Sequence, residues 1–579
     1  MTQPTVAILP QITIKVDGTN LDVATLDKLI SCQVDISLGM PDMAILQFTV
    51  DPQDTSLIDT AKFDIGKTIQ IMLPSYSGTA ATQTSVMQGE VVVIEPSFNE
   101  DLTVTLTITA YDKGHRLSRK RHYRSFVNVT DSDIVSQIAS GASLSAQVAT
   151  TSYVNPYEVQ GNITDMEYLQ ILADRNQRVL LFRDNKVYFK SASSLSFPAP
   201  PTLTWGLNLF EFHPRMSGAG QVSEVNVKSW DHINKQEVTG TASTSTSHPT
   251  IGYGKSGKVA TSAFGTSPYT VVGTTHAVSA AEAEAKQTMD RINSSFITAN
   301  GICYGEAKIV AGASLTIQKV GTKFSGTYVV SSATHRYVSG EYTTEFSVSG
   351  SEEPIVADLV AQEAQSGKNV WNGVYPAVVT NNTDPDNYGR VKLKFPWLDD
   401  AVESFWARVS TLEAGNQKGV MYIPEVNDEV LVAFEFGDLR HPYVLGSLWN
   451  GTDAPPFGSS EYIANGAVVM RTTKTRTGNE ITFYDGDSDK SILIKDASGN
   501  LTVKLDGANK QIIIEANDTG GLMLKSSGDI VIDSAQKLQF KCTNLESTST
   551  AATKIEATGT LDVKSSAITN IKGSMVNIN

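Results

Sequence analysis

The sequence is short of cysteine and of basic charge, and it has no long apolar run. Its 579 residues include three cysteines, far apart at positions 32, 303 and 542, which argues against a disulfide framework or a cysteine-rich zinc site. Lys and Arg total 46 against 61 Asp and Glu, a net charge of −15, whereas proteins that mainly grip nucleic acid are usually basic. No run approaches the ~18 apolar residues of a membrane span. We therefore expect no nucleic-acid partner and no transmembrane helix.

Motifs of catalysis and targeting are also lacking. The N-terminus has no basic stretch followed by an apolar one, so no secretory signal is expected. Neither H-E-x-x-H nor G-x-S-x-G occurs. Residues 252–259 nearly spell a phosphate-binding loop, but Val259 stands where a hydroxyl must hold Mg²⁺, which favours a flexible loop. We predict no catalytic residue, no cofactor and no metal site.

Residues 1–365 mix strands with a few helices. Alternating apolar residues in 12–16 and 103–108 have the period of half-buried strands. Capping boxes at Thr164–Glu167 and Ser279–Glu282 predict helix starts. These patterns predict an α+β domain.

Residues 370–455 form a second block with four of the six tryptophans. Short β runs such as 390–395 and 429–434 alternate with Asp, Asn, Gly and Pro turns. Short strands at this spacing indicate a small barrel.

Residues 460–579 differ again, because they contain no proline after Pro456 and, after Tyr484, no aromatic residue except Phe540. Short β-branched runs begin at positions 481, 492, 501, 512, 522, 530 and 538, each followed by a turn. Such a quasi-repeat is typical of a β-solenoid or fibre. One apolar stripe on short strands cannot be buried by a single copy, so we predict an intertwined homotrimer. A β-sandwich is the alternative, although its thick core normally needs bulky aromatic residues.

The second block resembles the OB-fold segment of the spike proteins of contractile injection systems, the VgrG family and the phage baseplate spikes. The matching motifs are V-V-T-N-N-T-D-P-D-N-Y-G-R-V-K-L-K-F-P-W at 378–397, W-A-R-V at 406–409, I-P-E-V-N-D-E-V-L-V-A-F at 423–434, Gly437-Asp438 and P-Y-V-L-G at 442–446. The family usually has Gly where Asn427 stands, and Asn is the next best residue for a positive φ. Residues 115–134, 162–173 and 326–346 resemble the hub of the same proteins.

The resemblance implies a mainly β chain of three regions: an α+β hub of barrels (1–365), an OB-fold barrel (370–455) and a trimeric, triple-stranded β-helix needle (460–579). It implies a structural hub-spike without catalysis that adapts a six-fold tube to a three-fold needle and pierces the target envelope. The implied partners are two further copies, a tube protein on the hub face, surrounding baseplate proteins and a PAAR-type tip protein, with a membrane only on firing. The protein would be made in the bacterial cytoplasm and assembled into an injection particle, extracellular after release.

Two sets of needle residues carry specific predictions. We expect Ile492, Ile513 and Ile530 to lie in the trimer core. The last seven residues carry no side-chain charge, so an uncovered β edge there invites a partner. The tip protein is expected to dock on Ile571, Met575, Val576 and Ile578.

Three alternatives stay open on the sequence. A glycan-binding or glycan-cleaving tail fibre is the second functional class, against which the scarcity of aromatic residues in the needle counts. Asp485, Asp487 and Asp489 could offer oxygens to Ca²⁺, although turn chemistry explains them more simply. A basic cluster could bind phosphate or could be a structural turn whose arginines bridge neighbouring acids in the trimer; it comprises Lys113, His115, Arg116, Arg119, Lys120, Arg121, His122 and Arg124.

Overall fold

The structure is a computed structural model of one chain. It describes residues 11–77, 80–191, 194–218, 220–244, 250–251, 262–265, 268–274, 277–348 and 371–578. The chain is mainly β, as predicted, and divides into two compact units, Met1–Ala454 and Pro455–Asn579. Within the described ranges, no helix is long and apolar enough to cross a membrane.

The first part of the hub is an antiparallel sheet with one buried face. Residues of β7 alternate between buried and half-buried positions along the whole strand, which is the period of two expected from the sequence. Side chains of this face form a core around Ile14, Phe48 and Ile71. The strands are β1 (Thr13–Val16), β2 (Thr19–Asn20), β3 (Leu29–Ser37), β4 (Met43–Val50), β5 (Thr68–Ser77), β6 (Ala80–Phe98) and β7 (Val104–Tyr111).

Helices and short strands form the next layer of the hub. The helix Asp165–Arg175 begins at the predicted capping box, because Thr164 and Glu167 cap each other's backbone N–H groups. The helix Asp131–Gly141 starts with an equivalent box. The short helix Val23–Leu26 precedes them in the chain. The strands of this layer are β8 (Arg121–Thr130), β9 (Ser145–Val148), β10 (Val154–Thr164), β11 (Val179–Arg183) and β12 (Lys186–Lys190).

The last part of the hub extends the first sheet. Strand β21 pairs with β3, so the two halves share one 14-stranded sheet. The helix Val278–Ser294 packs on β15 and β16. Its N-cap residue is Ala277, which offers no side-chain cap, so the capping box predicted at Ser279 is wrong. The strands are β13 (Leu203–Thr204), β14 (Leu209–Met216), β15 (Glu224–Asp231), β16 (Gln236–Ala242), β17 (Thr250–Ile251), β18 (Pro268–Val272), β19 (Ile297–Tyr304), β20 (Ser314–Gln318), β21 (Gly326–Val338) and β22 (Glu341–Val348).

The OB region is a six-stranded sheet in the order β25-β24-β23-β29-β30-β26. A bridge between Val391 and Ala407 links its two ends around a core that includes Val379 and Phe395. Asn427 adopts φ 79°, which confirms the predicted positive-φ turn. The strands are β23 (Tyr375–Asn381), β24 (Lys392–Phe395), β25 (Asp399–Glu403), β26 (Arg408–Val409), β27 (Ala414–Gly415), β28 (Lys418–Gly419), β29 (Glu429–Phe434) and β30 (Pro442–Ser447).

The needle begins with strands that pair inside one chain. After the helix Ser459–Tyr462 and a two-residue hairpin, five strands follow one another as an antiparallel meander. In residues 521–578, as far as they are described, the chain forms no strand or helix and is exposed. The strands are β31 (Ile463–Ala464), β32 (Ala467–Val468), β33 (Met470–Lys474), β34 (Glu480–Asp485), β35 (Lys490–Lys495), β36 (Leu501–Asp506) and β37 (Gln511–Ala516).

This meander corrects the prediction of intertwined strands for residues 470–516. Each of β34, β35 and β36 has both edges paired with strands of its own chain, so none has a free edge for another copy. The physical reason is that short turns such as 486–489 and 507–510 let neighbouring strands pair locally, which costs little loop entropy. The triple-stranded β-helix stays a prediction for the residues that follow.

Candidate functional site: the hub–barrel junction and the needle face

Five charged side chains meet where the OB barrel contacts the hub. We call Asp131, Glu158, Arg175, Asp438 and Arg440 the junction cluster. Arg175 of the hub donates through Nε to Asp131 at 2.7 Å, and its Nη1 lies 2.9 Å from Glu158. Arg440 of the barrel lies 3.3 Å from the same Glu158 oxygen and 2.7 Å from Asp438. Glu158 is thus shared by one arginine from each region.

The barrel supplies its part of the cluster from the tight turn after β29. The N–H of Asp438 donates to Glu435 O and the N–H of His441 donates to Asp438 O, both at 3.0 Å. The Asp438 carboxylate accepts from the N–H of Arg440 at 2.9 Å, as short acidic side chains commonly do in turns. Gly437-Asp438 was part of the family motif in the sequence, whereas no sequence signal pointed to Glu158 as its partner across the fold.

The electrostatics of the cluster favour the charged forms of Asp438 and Arg440. Burial by itself would raise the pKa of Asp438, but the Arg440 guanidinium holds that pKa well below its usual range. Burial likewise opposes the charge of Arg440, yet Glu158 and Asp438 raise the pKa of Arg440 well above its ordinary value. Removing one member would leave a partly buried charge without its counter-ion, which is the costly way to break such a network.

Neutral contacts surround the junction cluster. Tyr157 donates through its hydroxyl to Glu403 O of the barrel at 3.0 Å, and its ring lies 5.8 Å from that of Phe405. A Cβ added at Gly161 would lie 2.5 Å from the end of the Leu439 side chain, so any larger residue there would push Leu439 aside. Hub residues Tyr123 and Val159 also pack on the core of the barrel. The two regions therefore share both a polar and an apolar interface.

The motif at 384–390 is structural. Asp384 accepts hydrogen bonds from the N–H groups of Asp386, Tyr388 and Arg390, and from the Arg390 side chain at 3.0 and 2.7 Å. These bonds, first of all the one from the Arg390 side chain, lower the pKa of Asp384. The spacing D-P-D-N-Y-G-R thus folds the loop between β23 and β24 around one carboxylate.

Three arginines of the basic cluster form hydrogen bonds to acidic or backbone groups of the same chain. Arg116 makes two bonds to Glu90 at 3.0 and 2.6 Å. Arg124 donates to Asp165 at 2.5 Å, and Arg121 donates to Asn162 O at 2.8 Å. The structural alternative is therefore favoured, with the correction that these arginines bridge acids of their own chain.

The metal alternatives gain no support from the geometry. In the part of the chain that the structure describes, no three His, Cys, Asp or Glu side chains come close enough to hold a metal ion. Asp485 instead pairs with Arg471 at 2.5 Å, and Asp489 accepts from Ser491 at 2.7 Å. The near phosphate-binding loop at 252–259 lies outside the described residues.

One apolar face of the needle meander is exposed among the residues that the structure describes. Cross-strand pairs such as Ile481–Ile494 and Leu505–Ile512 place these side chains on the same side. We call the side chains on this side the needle face. Its most exposed members have between 37% and 73% of their surface accessible, and they are Ile481, Phe483, Ile494, Leu501, Val503, Leu505, Ile512 and Ile514. An open groove of about 510 Å³ lies on it, lined in part by Phe483 and Ile492. Contiguous exposed apolar surface of this kind is typical of interaction sites.

Register separates two of the predicted core residues. Ile492 pairs with Leu505 and lies on the needle face. Ile513 pairs with Lys504 on the opposite face, so the two residues lie on different faces, and which of them lies in a trimer core stays a prediction. The reason is the period of two, by which adjacent residues point to opposite sides. Ile530 is 55% exposed in the single chain, and its place in a trimer core stays a prediction.

The predicted tip residues are exposed. Ile571, Met575, Val576 and Ile578 have between 48% and 87% of their surface accessible. The docking of a tip protein on these four residues stays a prediction.

Two family models match the chain. Residues 7–339, more than half of the chain, match the Alg8 N-terminal domain. Residues 375–449 match the type VI secretion system/phage-baseplate injector OB domain.

Curated relatives match a smaller part. The chain is 34% identical to the type VI secretion system spike protein VgrG3 of Vibrio cholerae over 113 residues, 19% of this chain and 11% of that protein. It is 31% identical to VgrG1a of Pseudomonas aeruginosa over 175 residues, 27% of each chain. The chain thus spans about a tenth of the length of VgrG3 and about a quarter of VgrG1a.

Solved structures match most of the chain in fold. Two structures of the Francisella PdpA-VgrG complex, lidded and half-lidded, superimpose with TM-scores of 0.52 and 0.51 at 9% and 10% identity. Each match covers 87% of this chain, and 80% and 88% of the respective structure. The chain therefore belongs to the Alg8 N-terminal domain family, and together with the injector OB domain this makes it a VgrG-like baseplate spike protein.

Proposed function

We propose that this protein is the structural central hub-spike of a contractile injection system. Three copies would form a hub that adapts a six-fold tube to a three-fold needle, and the needle would pierce the target envelope. The observation that carries this proposal is the uncovered needle face, on a meander whose interior strands have no free edge. A second copy could cover the exposed apolar face, because further copies of the chain offer matching apolar surface.

The hub–barrel junction suits a part that transmits force. A hub and barrel tied by the junction cluster and by packed aromatic residues move as one body, so that a push on the hub reaches the barrel. Buried ion pairs add directional, costly-to-break contacts to the apolar interface.

A mechanical role without catalysis fits the relatives. Four curated proteins similar to this chain are named spike proteins. One is named an actin cross-linking toxin, but the similarity covers 17% of this chain and 10% of that protein. The glycan-binding or glycan-cleaving fibre is not favoured by any of these relatives.

The proposed partners follow from this role. They are a tube protein on the hub face, baseplate proteins around the hub and a PAAR-type tip protein on Ile571, Met575, Val576 and Ile578. Deleting 568–579 should leave a folded trimer that no longer binds the tip protein encoded with it; unchanged affinity would place the docking site elsewhere. The particle would be assembled in the bacterial cytoplasm and act outside the cell.

The native cysteines offer a direct test of the trimer. Cys32 and Cys303 are buried, whereas Cys542 is exposed in the single chain. If residues 538–542 are extended, Leu538, Phe540 and Cys542 point to the same side. In a trimer whose apolar rows face the three-fold axis, the Cys542 thiols of the three chains would then lie close together. Mild oxidation should link two chains of each trimer by one disulfide.

The control is Cys542→Ser, which should remain trimeric and form no disulfide. Light scattering should give three times the chain mass of 62.3 kDa for both proteins. A stable monomer at all concentrations would refute the proposal. A trimer without the disulfide would refute only the inward direction of Cys542.

A further inference from the structure

Two buried carboxyl groups join separate turns of the hub. Asp42 precedes β4 and is 1% exposed, and Asp112 follows β7 and is 3% exposed. The N–H of Asp42 donates to the Asp112 carboxylate at 3.2 Å, and the N–H of Asp112 donates to Asp42 O at 2.9 Å. The two residues therefore hold the two turns together reciprocally.

The two carboxyl groups differ in the hydrogen bonds that they accept from the protein. Asp112 accepts from the N–H of Gly114 at 2.6 Å as well as from Asp42. One oxygen of Asp42, Oδ1, is buried and has no hydrogen-bond partner in the described structure. An ionised carboxylate in such a place is far more costly than a neutral carboxyl.

The charged groups around the pair do not compensate a negative Asp42. Arg183 is the nearby cation, but it donates to Ser85 O at 3.1 Å and its Nε lies 3.9 Å from the Asp184 carboxylate. His115 uses Nδ1 against Asp112 O at 2.8 Å. Asp184 adds a further negative charge to the surroundings of both acids.

The pKa shifts agree with this geometry. Burial, followed by the charge of Asp112, raises the pKa of Asp42 well above its ordinary value, and Arg183 and the Ser37 N–H oppose the shift only in part. Burial also raises the pKa of Asp112 to about 6, against the hydrogen bonds from Gly114 and Asp42.

We propose that Asp42 carries a proton in the folded hub at neutral pH, and that Asp42 and Asp112 form a clasp between their turns which acid closes and alkali opens. The sign follows from linkage, since the closed state binds a proton that the open state releases. Above about pH 6, where Asp112 is ionised in both states, and up to the raised pKa of Asp42, opening becomes easier by about tenfold per pH unit. The clasp would make the first sheet of the hub sensitive to the pH of its surroundings.

Hydrogen exchange on the full chain tests the clasp. Amide exchange of residues 38–44 and 112–118 is measured at several pH values above about 6, where Asp112 is ionised, and divided by the intrinsic rate at each pH. In the wild-type protein, the opening equilibrium should rise about tenfold per pH unit. Asp42→Asn, which cannot ionise, should remove most of that rise, whereas the exposed Asp59→Asn should leave it unchanged. Equal pH dependence in wild type and Asp42→Asn would overturn the proposal.

Infrared spectroscopy provides a readout that needs no variant to fold. The wild-type protein should show the carbonyl band of a protonated carboxylic acid at neutral pH, where ordinary carboxyl groups are ionised. The band should disappear at the alkaline pH at which the two turns open in exchange. A wild-type spectrum without that band at neutral pH would also overturn the proposal.

Discussion

The hub–barrel unit and the needle unit bury their apolar side chains in different ways. The first encloses separate cores, for example around Phe48, Tyr168 and Phe395, each covered by its own chain. In the needle, strands pair just as regularly, yet Ile512 is 73% exposed. The comparison shows that complete backbone pairing does not complete a fold, because a sheet also needs cover on its apolar face. The first unit buries its apolar side chains within one chain, whereas the needle face stays exposed in the single chain.

Neighbouring isoleucines test this difference most strongly. Ile514→Asp places a charge on the needle face and should cost several kcal/mol per trimer, because up to three charges would be buried together. Ile513→Asp is the matched control, since Ile513 lies on the opposite face beside Lys504. Analytical ultracentrifugation should show dissociation of the first variant and an intact trimer for the second. The opposite order would mean that the other face of the sheet is the interface.

The junction cluster should give the next largest effect. Arg440→Met leaves Glu158 and Asp438 without their shared cation, and the loss should be about 3–5 kcal/mol of stability. Arg408→Met is the control, because Arg408 lies at the surface over the Tyr443 ring. Denaturant unfolding measures both, and hydrogen exchange should localise the effect to the turn 435–441. An effect no larger than that of Arg408→Met would show that the apolar contacts alone hold the junction.

A buried histidine should make the hub less stable in acid. His335 is fully buried, with Nδ1 at 2.8 Å from the Tyr342 hydroxyl, and burial lowers its pKa to about 3. The unfolded chain binds this proton at the ordinary pKa near 6.5, so stability falls as pH drops from about 6.5 towards 3, by up to about 1.4 kcal/mol per unit.

The measurement is the midpoint of thermal unfolding between these pH values for wild type and His335→Gln. The variant is expected to be less stable overall and less sensitive to pH. Below pH 6, the stability of the variant should change less steeply with pH, by the contribution of about one proton, or about 1.4 kcal/mol per pH unit. Parallel curves would mean that His335 does not contribute to the loss of stability in acid.

The turn at Asn427 should give the smallest effect. At φ 79°, Asn427→Gly should change stability by less than about 1 kcal/mol, whereas Asn427→Ala should destabilise by about 1 kcal/mol. Chemical denaturation gives the free energy of unfolding of both variants, which is compared with that of the wild-type protein. Equal stability of the Gly and Ala variants would show that the turn relaxes to a negative φ.

Local sequence signals were enough for the fold class and for several elements. Periodicity gave the strands around Val104–Tyr111, and the Thr164 capping box gave a helix start, because both depend on residues adjacent in the chain. The box at Ser279 failed because the same spacing occurs inside a helix that starts earlier, at Val278. The quasi-repeat of the needle was recognised, but its pairing within the chain was not, since a repeat alone does not specify which copy supplies the neighbouring strand.

The sequence by itself therefore determined a mainly β chain with a hub, an OB barrel and a repetitive apolar needle. Only the tertiary structure decided that Ile514 and not Ile513 belongs to the needle face, because a one-residue difference in register reverses the direction of a side chain. It also decided that Glu158 meets Arg440, 282 positions away in the chain. Contacts between distant residues leave no local pattern in the sequence, since they arise from how the sheets and turns pack.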